Sequence, residues 1–184
     1  MPSKIQRQDV ADVVLFQGLP DEDLDKILAA SEDVTYAAGE VIFKQGDNSA
    51  ALYILVNGEV EVVLGDSAPH ETILATLPPK AVFGESSFFS GGPHHATVRA
   101  KDSVNAIRLE RVAFDTMAAE RCTAALRLGT NAAIVLAIRL QKADERIAIE
   151  IQAEEDIRTR EALRRYHESL VHSYSGPPGF VHVV

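Results

Sequence analysis

Hydrophobic positions recur at two different spacings along this chain, and the spacing changes twice. Residues from about Arg7 to Asp33 follow a helical period, which is broken once near Gly18. From Val34 to Leu109 short β-branched and aromatic runs alternate with a period of two, between glycine and polar turns. The helical period returns after Arg111. The pattern predicts an α+β fold, in which an antiparallel β-roll is flanked by N-terminal helices and a long C-terminal helix.

The period-two region divides into short predicted strands. They lie near residues 34–36, 41–44, 51–56, 60–64, 72–77, 81–83, 96–100 and 103–109. Asn57-Gly58 separates two apolar runs and is typical of a hairpin turn, because both residue types tolerate positive φ.

The C-terminal region predicts one short helix near residues 112–118 and a long helix that begins at Thr123. Its apolar residues fall on heptad a and d positions, with Gly129 among them: Leu126, Ala133, Leu136, Leu140, Ala143 and Ile147. Ile134 and Ile138 form a second stripe beside the first. One stripe can face the roll, and the other then needs a partner. We therefore expect a parallel homodimer through the helix around Leu126–Ile147.

Three regions follow from this reading. They are a roll domain with its N-terminal helices (residues 1–122), an interaction helix (residues 123–172) and a tail (residues 173–184). The helix either continues to about Val171 or is kinked between residues 153 and 159. In the tail, Phe180–Val184 alternates after a Pro-Gly turn, and we expect it to add to a sheet edge or groove of a partner. Another protein partner is thus expected at the C-terminal helix or tail.

Composition narrows the functional classes. The net charge of −9 argues against nucleic-acid binding, which depends on clustered Lys and Arg. A single cysteine, Cys122, excludes an intramolecular disulfide. The first residues show no apolar signal region, and no run reaches the ~18 apolar residues of a membrane span. We expect a cytoplasmic protein that contacts neither nucleic acid nor membrane.

One stretch, residues 83–100, combines several local signals. A strand ends at Phe83, the chain turns at Gly84, and a short helix with Ser86 and Ser87 in its first turn follows. Gly91-Gly92-Pro93 ends that helix, and a new strand begins. The start of a helix presents free backbone N–H groups, so this arrangement favours an anion.

The same stretch closely resembles the phosphate-binding cassette of cyclic-nucleotide-binding domains, which reads roughly F-G-E-L-A-L-L-x-x-x-P-R-A-A-T-V-x-A. The residues in register are Phe83, Gly84, Glu85, Pro93, Ala96, Thr97, Val98 and Ala100. The resemblance implies that Glu85 accepts a hydrogen bond from a ribose 2′-hydroxyl and that the amides near Gly84 to Ser86 hold a cyclic phosphate. The predicted pocket comprises Phe83, Gly84, Glu85, Ser86, Ser87, His94, His95, Ala96 and Thr97.

His94 departs from that pattern, because the family has its phosphate-clamping arginine there. A guanidinium is a permanently charged two-pronged donor, whereas histidine is mostly neutral near pH 7. His95 adds bulk where the family has a small residue, and Lys80-Ala81 replaces the family's glycine and acidic residue. We therefore expect an empty or repurposed pocket. A cyclic nucleotide is possible but disfavoured, and no other cofactor is predicted.

Chemistry other than binding is not indicated. Neighbouring strand residues point to opposite faces, so His94 and His95 are poorly placed to share a metal ion. No nucleophile-turn signature surrounds Ser86 or Ser87. The resulting hypothesis is a non-enzymatic regulatory or assembly module that acts through protein–protein interaction. The alternatives are a genuine cyclic-nucleotide sensor that signals through its C-terminal helix, or a structural subunit of a larger complex.

Overall fold

The computed structural model describes residues 5–65, 71–153 and 163–170. The N-terminal segment comprises α1 (Arg7–Val10), a 3₁₀ turn (Val14–Phe16) and α2 (Asp21–Ala29). The strands are β1 (Glu32–Tyr36), β2 (Val41–Phe43), β3 (Ala51–Asn57), β4 (Val60–Leu64), β5 (Thr72–Leu77), β6 (Val82–Phe83), β7 (Thr97–Ala100) and β8 (Val104–Glu110). The later helices are α3 (Glu85–Ser90), α4 (Arg111–Ala119) and α5 (Thr123–Ala153), and residues 163–170 are also helical.

Two four-stranded antiparallel sheets make up the roll, which confirms the predicted fold class. One sheet has the order β1-β8-β3-β6 and the other β2-β7-β4-β5. β3 is apolar on both faces: Leu52 and Ile54 belong to the core under the helices, whereas Tyr53 and Leu55 belong to the core between the sheets. A strand buried on both sides explains its uninterrupted apolar run.

Two local predictions are wrong. The Asn57-Gly58 turn is not a hairpin, because β3 and β4 belong to different sheets. Gly58 has φ 83°, and a Cβ there would overlap the Ser103 carbonyl oxygen. The N-terminal helical region also ends earlier than predicted, since Glu32 and Asp33 lie in β1, paired with Arg108 and Ile107. In both places pairing with a distant strand decides the conformation.

α5 packs on the roll through a face that neither predicted stripe contains. Its buried residues are Ala124, Ala125, Leu128, Ala132 and Val135. Both predicted stripes stay largely in solvent, with Leu126 74% and Ile134 52% exposed. The helix is confirmed as far as Ala153, while the choice between a continuous and a kinked helix falls outside the described residues.

Polar contacts fix the start of α5 against the N-terminal helices. The Asn131 side chain donates from Nδ2 to the carbonyl oxygens of Leu15 at 2.9 Å and Gln17 at 3.0 Å. The Thr123 hydroxyl donates to the buried carboxylate of Asp23 at 2.9 Å. These contacts anchor the first turns of the helix to the core.

The chain divides into two compact units, residues 1–136 and 137–184. The first includes the beginning of α5, whereas the predicted division at residues 122 and 123 stays a prediction. By length and composition the segment Thr123–Ile149 passes as a membrane span, with a mean hydropathy of 1.3. A single such helix is a weak indication, because core helices of soluble proteins meet the same criteria.

Candidate nucleotide-binding cassette

The cassette has the strand–helix–strand course that the sequence predicts. β6 ends at Phe83, and Gly84 precedes α3 with φ 78°. A Cβ on Gly84 would lie 2.5 Å from the Ala51 carbonyl oxygen, so only glycine fits without a shift of the backbone. Gly91 ends α3 with φ 72°, and β7 begins at Thr97.

The predicted pocket residues separate into an exposed and a buried group. Ser86 and His95 are exposed, and Gly84, Ala96 and Thr97 are half-buried. The buried members are Phe83, Glu85, Ser87 and His94. The Thr97 hydroxyl accepts a hydrogen bond from the Gln45 backbone N–H at 3.0 Å. The structure thus brings these residues together around α3, while their role in holding a nucleotide stays a prediction.

His94 is held by one ring contact and two side-chain hydrogen bonds. The residue is only 3% exposed, and its ring stacks on Phe43 with 3.7 Å between centroids and 10° between planes. Nδ1 lies 2.8 Å from the Ser87 hydroxyl, and Nε2 lies 2.7 Å from the Ser49 hydroxyl. Both ring nitrogens are therefore engaged by serines, one on α3 and the other in the loop before β3.

Burial in this apolar cluster lowers the pKa of His94 below its usual value of 6.5. The Asp47 carboxylate and a hydrogen bond with the Ser49 backbone act in the opposite direction, but burial is the larger effect. A neutral ring has one N–H donor and one acceptor nitrogen, so one serine accepts from the ring and the other donates to it. His94 is consequently uncharged near pH 7.

The backbone of His94 is also fixed. Its N–H donates to the Asp47 carbonyl at 2.9 Å, and its carbonyl accepts from Gly46 at 2.8 Å. His95 points into solvent, so the two rings lie in different environments. Within residues 5–65, 71–153 and 163–170, no group of three or more His, Cys, Asp or Glu side chains is placed to hold a metal ion.

α3 links this cluster to the helices on its other side. Ser87 contacts His94, and the next residue, Phe88, is fully buried in the core under the helices. Phe88 packs edge-on against Phe114 of α4, and its carbonyl accepts a hydrogen bond from Arg111 at 2.5 Å. A displacement of α3 would therefore reach α4 directly.

Comparison with known proteins agrees with this arrangement. Residues 33–121 match the cyclic nucleotide-binding domain family. This stretch belongs to that family.

Several named proteins and solved structures are similar to this chain. The chain is 32% identical over 152 residues to the cyclic AMP receptor protein of Thermus thermophilus, covering 80% of this chain and 66% of that protein. It is 35% identical over 103 residues to a cAMP-dependent protein kinase regulatory subunit of Blastocladiella emersonii, covering 56% of this chain and 26% of that protein. The crystal structure of the Thermus thermophilus catabolite activator protein superposes with a TM-score of 0.65 at 30% identity, covering 74% of this chain and 62% of that one.

The chain matches only part of the length of these relatives. The chain spans about a quarter of the kinase subunit and about two thirds of the receptor protein. The match shows the cyclic nucleotide-binding fold of residues 33–121.

Sequence reasoning missed the side chains that hold His94. Ser87 stands where the family pattern has alanine, and His94 stands where it has arginine. These two departures from the pattern, seven residues apart, were a signal that the two side chains interact. Ser49 and Phe43 were not identifiable in this way, because they lie 45 or more residues away in the sequence. The pairing of the turn before β3 with residue 94, and of β2 with β7, brings them together.

Proposed function

We propose that this chain is a non-enzymatic regulatory module that acts through protein–protein contact. In its cyclic nucleotide-binding domain, the protein's own side chains make a connection at the cassette that needs no ligand. The observation that carries the proposal is the buried His94 ring held between Ser49 and Ser87. The ring connects α3 to the loop before β3. Side chains thus join the cassette to this loop without a ligand.

The chemistry of His94 supports weak nucleotide binding. A neutral ring already engaged by two hydroxyls would have to break a hydrogen bond and gain a proton before it could pair with a phosphate. The family arginine offers two charge-assisted hydrogen bonds, each contributing about 1.5–3 kcal/mol. Losing both weakens binding by roughly two to four orders of magnitude, at about 1.4 kcal/mol per tenfold.

Calorimetric titration with cAMP and cGMP near pH 7.5 tests the proposal. We expect no binding heat and no thermal shift at micromolar nucleotide. A variant with His94→Arg, His95→Ala and Ser87→Ala restores the family pattern and should bind measurably.

The matched control adds Glu85→Gln to that restored variant, which should weaken binding again if Glu85 contacts the ribose. Micromolar affinity of the unmodified protein for either nucleotide would contradict the proposal.

That contradicting result would favour a second candidate, a cyclic-nucleotide sensor. Two observations support it: Gly84 and Glu85 keep the family positions around α3, and the relative from Thermus thermophilus is described as a cyclic AMP receptor protein. Such a sensor would use the cassette amides, Glu85 and Thr97.

The proposed protein–protein contact involves α5. Leu126, Ala133 and Leu140 are exposed apolar positions of the a/d stripe, and their exposure supports a homodimer through this helix. We also propose a further protein partner for the C-terminal helix or tail; the tail, residues 173–184, lies outside the described residues. A cytoplasmic setting, where the lone Cys122 stays reduced, completes the proposal.

A further inference from the structure

Strand β5 (Thr72–Leu77) forms an open edge of its sheet. Among the strands that the structure describes, the edges of the two sheets are β1, β6, β2 and β5. β2 and β6 have only three and two residues, and β1 carries the acidic residues Glu32 and Asp33. Short length and charge both keep an edge strand from pairing with other chains. β5 has six residues and neither of these protections.

β5 is uncharged, and its apolar side chains reach the solvent. Its sequence, Thr-Ile-Leu-Ala-Thr-Leu, contains no charged residue and no proline. Ile73 is 53% exposed and Leu74 is 49% exposed. The register of β5 against β4 shifts at Leu74, a bulge of the kind that bends an edge strand, yet both apolar side chains stay uncovered. A neutral, β-prone run of this length favours the addition of another strand.

A segment of the same chain has the pattern of a strand that fits this edge. Residues 180–184, Phe-Val-His-Val-Val, alternate after a Pro-Gly turn and are rich in β-branched side chains. They carry no permanent charge, so pairing with the neutral β5 edge would bury none. In strand addition the main chain supplies the hydrogen bonds, and five residues nearly match the six of β5.

The residues before this segment favour a second copy of the chain as the acceptor. Pro177 and Pro178 favour an extended backbone, so the sequence predicts a strand that leads away from the helix of residues 163–170. Residues 171–184 follow that helix and can span at most roughly 46 Å, at about 3.3 Å per residue. Each copy also has both a tail and a β5 edge, so two copies can exchange strands symmetrically.

We propose that residues 180–184 of one copy add to the β5 edge of a second copy as an extra strand. The inference rests on the tail partner proposed above, and it names that partner as a second copy and its surface as β5. Main-chain hydrogen bonds hold the added strand, and its alternating side chains cover Ile73 and Leu74. No residue of α5 takes part in this contact.

Amide hydrogen exchange in a mixture of two variants tests the proposal. The acceptor is a ¹⁵N-labelled chain without residues 180–184. The donor is an unlabelled full chain with Ile73→Lys, whose charged edge resists pairing. We expect exchange at residues 72–77 of the acceptor to slow at least about tenfold when the donor is added. Unchanged exchange would overturn the proposal.

Matched variants separate strand pairing from a general effect of mixing. A donor with Val181→Pro and His182→Pro lacks two consecutive N–H groups, so one lost donor faces β5 in either register, and it should give no protection. An acceptor with Ile73→Thr keeps a neutral β-branched residue and should still be protected, whereas an acceptor with Ile73→Lys should not. Slow exchange in β8 checks that each acceptor is folded. Equal protection by both donors would contradict the pairing of strands.

This inference and the earlier proposals fail in different ways. If β5 is protected in the full wild-type chain but never by the added donor, the tail does not pair with a second copy and this inference is wrong. Light scattering of the chain without residues 180–184 tests the α5 homodimer separately. The nucleotide titration likewise tests the cassette without reference to β5.

Discussion

His94 shows how one substitution changes the neighbourhood of a binding cassette. Arginine at this position could not be buried as a neutral group, because its guanidinium keeps its charge. Histidine can lose its charge, stack on Phe43 and satisfy both nitrogens with serine hydroxyls. The buried ring is therefore part of the core as well as part of the cassette.

The lowered pKa of His94 gives a pH dependence with a definite sign. The unfolded chain binds a proton on this ring near pH 6.5, whereas the folded protein does so only at lower pH. Its contribution to stability is therefore complete above about pH 6.5 and is lost as the pH falls, by at most about 1.4 kcal/mol per pH unit. Urea unfolding from about pH 7.5 to about pH 5.5 should show a steeper loss in the wild type than in His94→Gln.

His95→Gln is the matched control, because His95 is adjacent and exposed. It should keep the wild-type slope. Equal slopes for the wild type and His94→Gln would show that the buried ring does not titrate differently in the folded protein.

At the scale of elements, α5 is held by contacts that its periodicity does not reveal. Asn131 donates to two carbonyl oxygens of the N-terminal segment, Leu15 and Gln17. Asn131→Asp replaces the donor with a carboxylate facing those oxygens, and we expect a loss of about 1–3 kcal/mol in the free energy of unfolding. Urea titration measures it, with hydrogen exchange at residues 14–16 as a local readout.

Asn131→Ala should cost less than Asn131→Asp, because it removes the hydrogen bonds without introducing a charge. Gln141→Ala changes an exposed amide on the same helix and should stay within about 0.5 kcal/mol of the wild type. An Asn131→Asp protein as stable as the wild type would mean that the two hydrogen bonds do not anchor α5.

The strands were predictable because their signals are local. Period-two runs between glycine and polar turns placed β4 and β5 at their observed bounds, and the cassette motif placed Gly84 and Glu85 at the start of α3. The local sequence does not indicate to which sheet a strand belongs. The Asn57-Gly58 turn shows this, because the strands that it connects lie in different sheets. The core face of α5 was missed because Ala124 and Ala132 look neutral in a periodic pattern, although small residues permit close helix packing. His94's partners were missed because long-range pairing brings them to it.

At the scale of the whole molecule, the unpaired apolar surface of α5 is the feature that needs a partner. The helix begins in the unit of residues 1–136 and ends in that of residues 137–184. Exposed apolar residues of the a/d stripe lie along it in both units, including Leu126 and Leu140. Copies of a chain with a net charge of −9 repel one another, which disfavours non-specific association. A specific dimer interface along the a/d stripe, here called the seam, is therefore the more effective way to cover these apolar residues.

The a/d stripe predicts which substitutions separate the subunits. Leu136→Glu with Leu140→Glu places carboxylates on the proposed seam, where two copies would bury them against each other at a large cost. We expect light scattering to show the 20.0 kDa chain alone, whereas the wild type should have twice that mass at micromolar concentration.

Ile134→Glu with Ile138→Glu adds the same charge on the neighbouring stripe and should leave the dimer intact. Circular dichroism of both variants should retain the β-roll signal, because these side chains lie outside the two cores. A wild type that scatters as 20.0 kDa, or a control pair that dissociates equally, would show that the a/d stripe is not the seam.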